Sequence, residues 1–279
     1  KITARKDKVK IIGEKDDVNQ ASQIFMEMIE TLNSKGNLDK QDVRNLISII
    51  KVNKKIQKRN NSHYQICYSR KGAVTTQTKG QDKYFETVNK NDVVFCNGPA
   101  GTGKTFLAVC FAISALEKNL IDKIILCRPA VEAGENLGFL PGDLKEKVDP
   151  YLAPLYDALN VLLEEKKLIR LLENKIIEIV PLAYMRGRTL DNSFMILDEA
   201  QNATITQMKM FLTRLGVGSK SIITGDVTQI DLNSKEESGL VQVTEVLKDI
   251  NGIGFVKLNQ NDVVRHHLVR KIIEAYDKF

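Results

Sequence analysis

No apolar run in this chain reaches the roughly 18 residues that a membrane-spanning helix requires, and no secretory signal pattern, internal repeat or low-complexity tract is evident in its 279 residues. A helical membrane protein, a solenoid and a disordered scaffold are thereby excluded, and the expectation is a cytoplasmic protein with no membrane partner. The four cysteines, Cys67, Cys96, Cys110 and Cys127, show no C-x-x-C spacing. This argues against a zinc ribbon and predicts reduced, buried thiols. Histidine is scarce, and His266 and His267 have no cluster of ligand-type residues around them, so they read as surface residues. Apolar residues make up 43% of the chain, enough for a substantial core in one large domain or a domain plus a smaller module.

Charge is unevenly spread. Of 41 basic and 35 acidic residues, residues 1–80 hold 17 and 8, a net of +9. Residues 81–279 keep 24 and 27, a net of −3. A basic N-terminal part is suited to a polyanion, nucleic acid first; a solvated lysine-rich surface is the plainer reading of the same count.

Residues 1–55 predict a small basic α+β module. Two short strands flank Lys6-Asp7-Lys8, and apolar residues at Val18, Ala21, Ile24, Phe25, Met28, Ile29 and Leu32 recur at helical spacing. Val43, Leu46, Ile47 and Ile50 mark a second helix over 39–53, with Asp39 as its candidate N-cap. The order ββαα is KH-like, but no G-x-x-G loop is present to clamp an RNA backbone. Residues 56–80 read as a linker, with an extra strand possible at 64–68.

From residue 81 onward, short apolar strands (93–96, 123–127, 176–180, 194–198, 221–224 and 253–257) alternate with helical stretches (81–89, 104–118, 143–148, 151–164, 165–173, 204–215, 236–248 and 262–277). That alternation predicts an α/β domain, 81–279, whose mostly parallel sheet is covered on both faces. Its organising stretch is Gly98-Pro99-Ala100-Gly101-Thr102-Gly103-Lys104-Thr105, a match to the P-loop template G-x-x-x-x-G-K-[ST] in its required context of strand, loop and helix. Glycines let successive N–H groups converge on a phosphate, and the following helix points its positive end at the same anion. Lys104 is expected on the β and γ phosphates and the Thr105 hydroxyl on Mg²⁺.

The strand Phe194–Leu197 runs into Asp198 and Glu199. Ligands of an α/β sheet bind beyond the carboxyl ends of its strands. Asp198 is therefore expected to hold Mg²⁺ through water, and Glu199 to deprotonate the attacking water; a simple helix N-cap is the bland alternative. Gln229, after the strand ending in Gly225-Asp226, is placed to sense the γ-phosphate. Arg128 ends a third strand, either as a phosphate or nucleic-acid contact or as a salt bridge to Glu132 or Glu135. Gln81, ahead of the first strand, can pair donor and acceptor with an adenine edge. With no N-K-x-D tetrapeptide after the P-loop, this favours ATP over GTP. Residues 134–150 are too rich in glycine and proline for a regular helix and read as an ordered functional loop.

Five segments together, GPAGTGKT, RPAVEAGENLGFLPGDLKEKVDPYLAPLYDAL, PLAYMRGRTLDNSFMILDEAQNAT, QMKMFLTRLGVGSKSIITGDVTQIDL and DVVRH, resemble the PhoH family of P-loop ATPases, single-ATPase-domain branch. The resemblance implies a RecA-like core related to superfamily 1 helicases. It implies that Gln81 is the Q-motif glutamine, that Arg128 lies in motif Ia, Asp198 and Glu199 form motif II, and Gln229 lies in motif III. It also implies a place in RNA metabolism, with an rRNA-processing endoribonuclease as a partner. A single RecA-like domain needs an arginine from elsewhere to neutralise transition-state charge. A neighbouring subunit in a homo-oligomeric ring, a hexamer, is the expected source, with Arg265 or Arg214 as donor. Arg186 and Arg188 flank Gly187 in a basic loop suited to nucleic-acid phosphates or to a subunit interface. The alternatives to an RNA-coupled ATPase are a nucleotide-dependent switch or scaffold for a nuclease, and a small-molecule kinase.

Overall fold

The computed structural model describes residues 63–70, 72–129, 144–232 and 238–264, together with residues 2–5, 8–11 and single positions between 13 and 43. The chain divides into two compact units, Lys1–Ser62 and His63–Phe279. No described helix is long and apolar enough to cross a membrane.

In the first unit, β1 (Ile2–Arg5) and β2 (Lys8–Ile11) form an antiparallel hairpin, with Ile2 opposite Ile11 and Arg5 opposite Lys8. Helix is present at Val18 and at described positions from Ala21 to Leu32. Val18, Ala21, Ile24, Phe25 and Met28 of the expected stripe are half-buried, whereas Ile29 and Leu32 are exposed. Val43 N donates to Asp39 O at 3.2 Å, one turn of helix. The rest of the stretch read as a second helix lies outside the described residues.

The second unit begins earlier than its strand–helix alternation suggests. β3 (Gln65–Ser69) and β4 (Gly72–Thr75) pair as a hairpin. Ile66 and Cys67 enter the main core, and Tyr64 stacks on Phe85 with ring centroids 4.5 Å apart. The expected extra strand is therefore present, and from residue 63 onward the stretch read as a linker is folded structure. Helix α1 (Lys79–Lys90) follows, its N-terminus capped by Thr78, whose hydroxyl accepts from Gln81 N.

Six strands make the central sheet: β5 (Val93–Asn97), β6 (Lys123–Arg128), β7 (Ile177–Pro181), β8 (Ser193–Leu197), β9 (Lys220–Gly225) and β10 (Ile253–Lys257). Their order is β10-β5-β9-β8-β6-β7 and every pairing is parallel. Both faces are covered, so the strands read as unbroken apolar runs. Alternate residues feed two cores. Val94, Cys96, Ile124, Leu126, Phe194, Ile196 and Ile222 pack on one side, while Val93, Phe95, Ile125, Cys127, Met195, Leu197 and Ile223 pack on the other.

Helix α2 (Lys104–Glu117) is apolar around most of its circumference, with Leu107 to Ile113 all buried, as suits a helix sunk in the core. Helix α3 (Leu144–Leu162) runs through Pro150 and Pro154. The sequence reading ends one helix before Pro150 and starts another after it; the structure has a single helix, and it also takes up 144–150 of the expected loop. Both prolines lie on its exposed side, where a missing ladder bond is tolerated by water. Helices α4 (Glu165–Glu173), α5 (Ile205–Leu212) and α6 (Gly239–Leu247) complete the layers. A capping box between Thr204 and Gln207 starts α5 immediately after the acidic end of β8. The helix expected over 262–277 lies, beyond Val264, outside the described residues.

Candidate active site

The P-loop connects β5 to α2 at the carboxyl edge of the sheet. Gly98 N donates to Gly225 O at 3.1 Å, which ties the loop to β9. A Cβ on Gly98 would sit 2.7 Å from Leu258 Cβ and 2.8 Å from its carbonyl oxygen, so no larger residue fits there. Gly103 takes φ +81° and is the N-cap of α2, with no side chain capping the helix. The first-turn N–H groups therefore stay available to an anion. Thr102, fully buried, donates through Oγ1 to Pro99 O at 2.9 Å and holds the curl. Lys104 Nζ lies inside that curl, 2.5 Å from Gly98 O and 3.0 Å from Pro99 O. Beneath the loop, burial pushes the Cys96 thiol up to about 12, against the opposing pull of the Lys104 charge and a Tyr84 hydrogen bond. It stays protonated and apolar in character. All four cysteines are free and buried.

Asp198 follows β8 and is 3% exposed. Its Oδ1 accepts from Thr105 Oγ1 at 2.6 Å and from Thr224 Oγ1 at 2.8 Å. The P-loop threonine and the acid are thus in direct contact, with a second hydroxyl from β9 that sequence reasoning did not single out. Among the described residues no group of three or more His, Cys, Asp or Glu could hold a metal. One carboxylate with one hydroxyl, both hard oxygen donors, fits Mg²⁺, which keeps water and phosphate oxygens as its remaining ligands.

Glu199 has φ +51°, left-handed for a residue with a side chain, and stands at the N-cap of a 3₁₀ turn, Ala200–Asn202. Its carboxylate does not cap that turn, so the helix-cap alternative does not hold. Instead Oε2 accepts from Gln201 Nε2 at 2.6 Å, and Oε1 lies 3.2 Å from Arg128 Nη2. Arg128 Nη1 donates to Tyr151 O at 2.8 Å. Arg128 is therefore paired across β6 and β8 with Glu199, while Glu132 and Glu135 lie outside the described residues.

Gln201, 1% exposed, also accepts through Oε1 from Asp226 N at 3.0 Å, joining the ends of β8 and β9. Asp226 Oδ1 accepts from Thr228 N and Oγ1, while its buried Oδ2 has no hydrogen-bond partner. Asn97 Oδ1 accepts from Val227 N, and Asn202 and Asp231 bond reciprocally at 2.8 and 2.9 Å. The 226–231 loop is thereby clamped at three places. Gln229 stands exposed on it, its N donating to Asp226 O.

Gln81 is 4% exposed and already engaged. Its Nε2 donates to Thr102 O at 2.9 Å and its Oε1 accepts from Gln77 N at 2.7 Å. The structure thus makes it a brace of the P-loop, with one amide proton left over. The same helix start is fixed by Asp262, which accepts from the Thr78 hydroxyl at 2.6 Å and from Gly80 N at 3.1 Å. Val264 N donates to Gly101 O at 2.9 Å.

Of the four other candidate arginines, Arg186, Arg188 and Arg214 are described. Arg186 is exposed beside Gly187. Arg188 is half-buried and ion-paired with Glu178 at 2.8 Å. Arg214 donates to Met210 O, to Arg188 O at 2.9 Å and to the Thr213 hydroxyl, so its guanidinium fastens its own chain, beyond the end of α5. Arg265 lies outside the described residues. Gln201, Thr224 and Asp262 are what sequence reasoning missed. All three stand within the quoted segments; the position of Gln201 two after Glu199 was a local signal, whereas Thr224 and Asp262 carry none beyond membership of those segments.

A family profile described as PhoH-like protein matches residues 73–277. A PhoH-like protein of Bacillus subtilis is 52% identical over 278 residues, covering 99% of this chain and 87% of that one. A PhoH-like protein of Synechocystis is 46% identical, covering 100% and 85%. Protein PhoH of Escherichia coli is 42% identical over 205 residues, covering 73% and 58%.

Proposed function

The chain belongs to the PhoH family, and from that premise we propose that it hydrolyses ATP in a Mg²⁺-dependent reaction coupled to RNA binding or remodelling. The observation that carries the hydrolytic reading is the contact of Thr105 with Asp198, with Glu199 next in the chain. Lys104 and the N–H groups of the P-loop and α2 bind the phosphates. Thr105 and Asp198 hold the metal. Glu199 takes a proton from the attacking water, Gln201 holds its carboxylate, and Gln229 reports the state of the γ-phosphate. When bound, the Mg²⁺ nucleotide supplies the phosphoanhydride and neutralises charge on its own oxygens. A base next to the metal-holding acid favours water over a bound acceptor as nucleophile, and so a hydrolase over a kinase.

The test is Glu199→Gln. ATP binding should persist while turnover falls by about 10²- to 10⁴-fold, the usual worth of a general base. Wild-type-like turnover would remove Glu199 from the role. RNA coupling is supported by the net +9 of residues 1–80 and by exposed Arg186. It predicts RNA-stimulated ATPase activity with an RNA affinity that falls steeply with salt. Stimulation by a protein partner alone would favour the switch for an RNA-processing nuclease. Arg214 is engaged within its own chain, which leaves Arg265 as the stronger candidate for an arginine acting across a subunit interface in a ring.

A further inference from the structure

Glu199 is held on both of its carboxylate oxygens, and the two anchors differ in kind. Gln201, on Oε2, is buried and fixed by Asp226 N, so it belongs to the joined ends of β8 and β9. Together with the left-handed backbone at Glu199, it suffices to orient the carboxylate. Arg128, facing Oε1, comes from the end of β6 and reaches in two directions: Nη2 to Glu199 and Nη1 to the Tyr151 carbonyl in α3. A guanidinium facing that oxygen competes with the attacking water for its acceptor positions. The pair is also only partly shielded, with side chains 20% and 35% exposed, so it can be opened at modest cost.

We propose that Arg128 is a positioning residue that restrains the base: it occupies Glu199 Oε1 and ties it to α3, so that turnover rises when the guanidinium is drawn away. This rests on the reading of Glu199 as general base. A ligand or partner that displaces α3 would then act on the chemical step and leave nucleotide binding untouched.

The experiment compares Arg128→Ala and Arg128→Lys, each alone and combined with Glu199→Gln. Steady-state kcat and KM for ATP are measured, together with the affinity for a non-hydrolysable ATP analogue. Arg128→Ala should raise kcat about two- to fivefold, the size expected for releasing one partly exposed ion pair, with KM and analogue affinity unchanged. Arg128→Lys, which keeps the charge but not the two-way reach, should fall between Ala and wild type. A side chain with a merely structural role would lower kcat or leave it unchanged, and either result overturns the restraint. Glu199→Gln should lower turnover by the same roughly 10²- to 10⁴-fold in every background. If it does so while Arg128→Ala gives no rise, the restraint fails and the base stands; if Glu199→Gln turns over normally, the base assignment fails first. Should Arg128→Ala not fold, Arg128→Gln keeps a donor for the Tyr151 carbonyl while removing the charge, and the same rise is expected of it.

Discussion

Thr224 shows what one hydroxyl contributes to this site. It adds a second donor to Asp198 Oδ1 beside that of Thr105, and both bonds hold the acid in one rotamer. Thr224→Val keeps the shape and removes the donor. The Mg²⁺ concentration for half-maximal ATPase activity should rise roughly fivefold, equivalent to about 1 kcal/mol for one hydrogen bond, as read by metal titration. Gly98 to Thr105, Asp198 and Glu199 were legible in the sequence because each sits within a contiguous motif. Thr224 and Gln201 acquire their meaning only from the adjacency of β8 and β9, which no local pattern states. Arg128 illustrates the same limit: the acids weighed for it were Glu132 and Glu135, yet its described partner Glu199 lies across the sheet. Gln81 was read from the sequence as an adenine contact, whereas its place against Thr102 O depends on how α1 packs on the loop.

At the scale of elements, the six parallel strands were readable to within a residue or two, since buried strands are continuous apolar runs. Proline misled at α3, where the rule that proline ends a helix gave way to a helix with its prolines on the wet side. Composition misled at 70–75, where polar residues and glycines conceal the partner of the strand read at 64–68 and hence a hairpin whose Ile66 and Cys67 join the core. Ile66→Ala therefore becomes a sharp test. A flexible linker would tolerate it with no effect, whereas a buried isoleucine truncated to alanine should cost about 2–4 kcal/mol, measured by urea unfolding of the whole protein.

At the scale of the molecule, the sheet order places β9 between the P-loop strand β5 and the acidic strand β8. One edge thereby gathers the P-loop, Thr105 with Asp198, Glu199 and the 226–231 loop. No described arginine other than Arg128 reaches the base or the P-loop through a side-chain contact. The proposed ring supplies the missing charge from a neighbour, worth on the order of 10³–10⁵ in rate. ATPase rate per subunit should then fall on dilution in step with dissociation, followed by mass in solution. A rate that stays constant down to a proven monomer would eliminate the arginine acting across the interface.

The contacts that assemble this edge are far apart along the chain. Thr105 and Asp198 are separated by 93 positions, and Thr78 and Asp262 by 184. Closing such long loops is slow, because their entropy is lost before the contacts that offset it exist. The site thus draws on residues that only the completed second unit brings together. Ligand affinity belongs to the finished fold, so the nucleotide of the proposed reaction would favour completed chains over incomplete ones, by RT ln(1 + [L]/Kd).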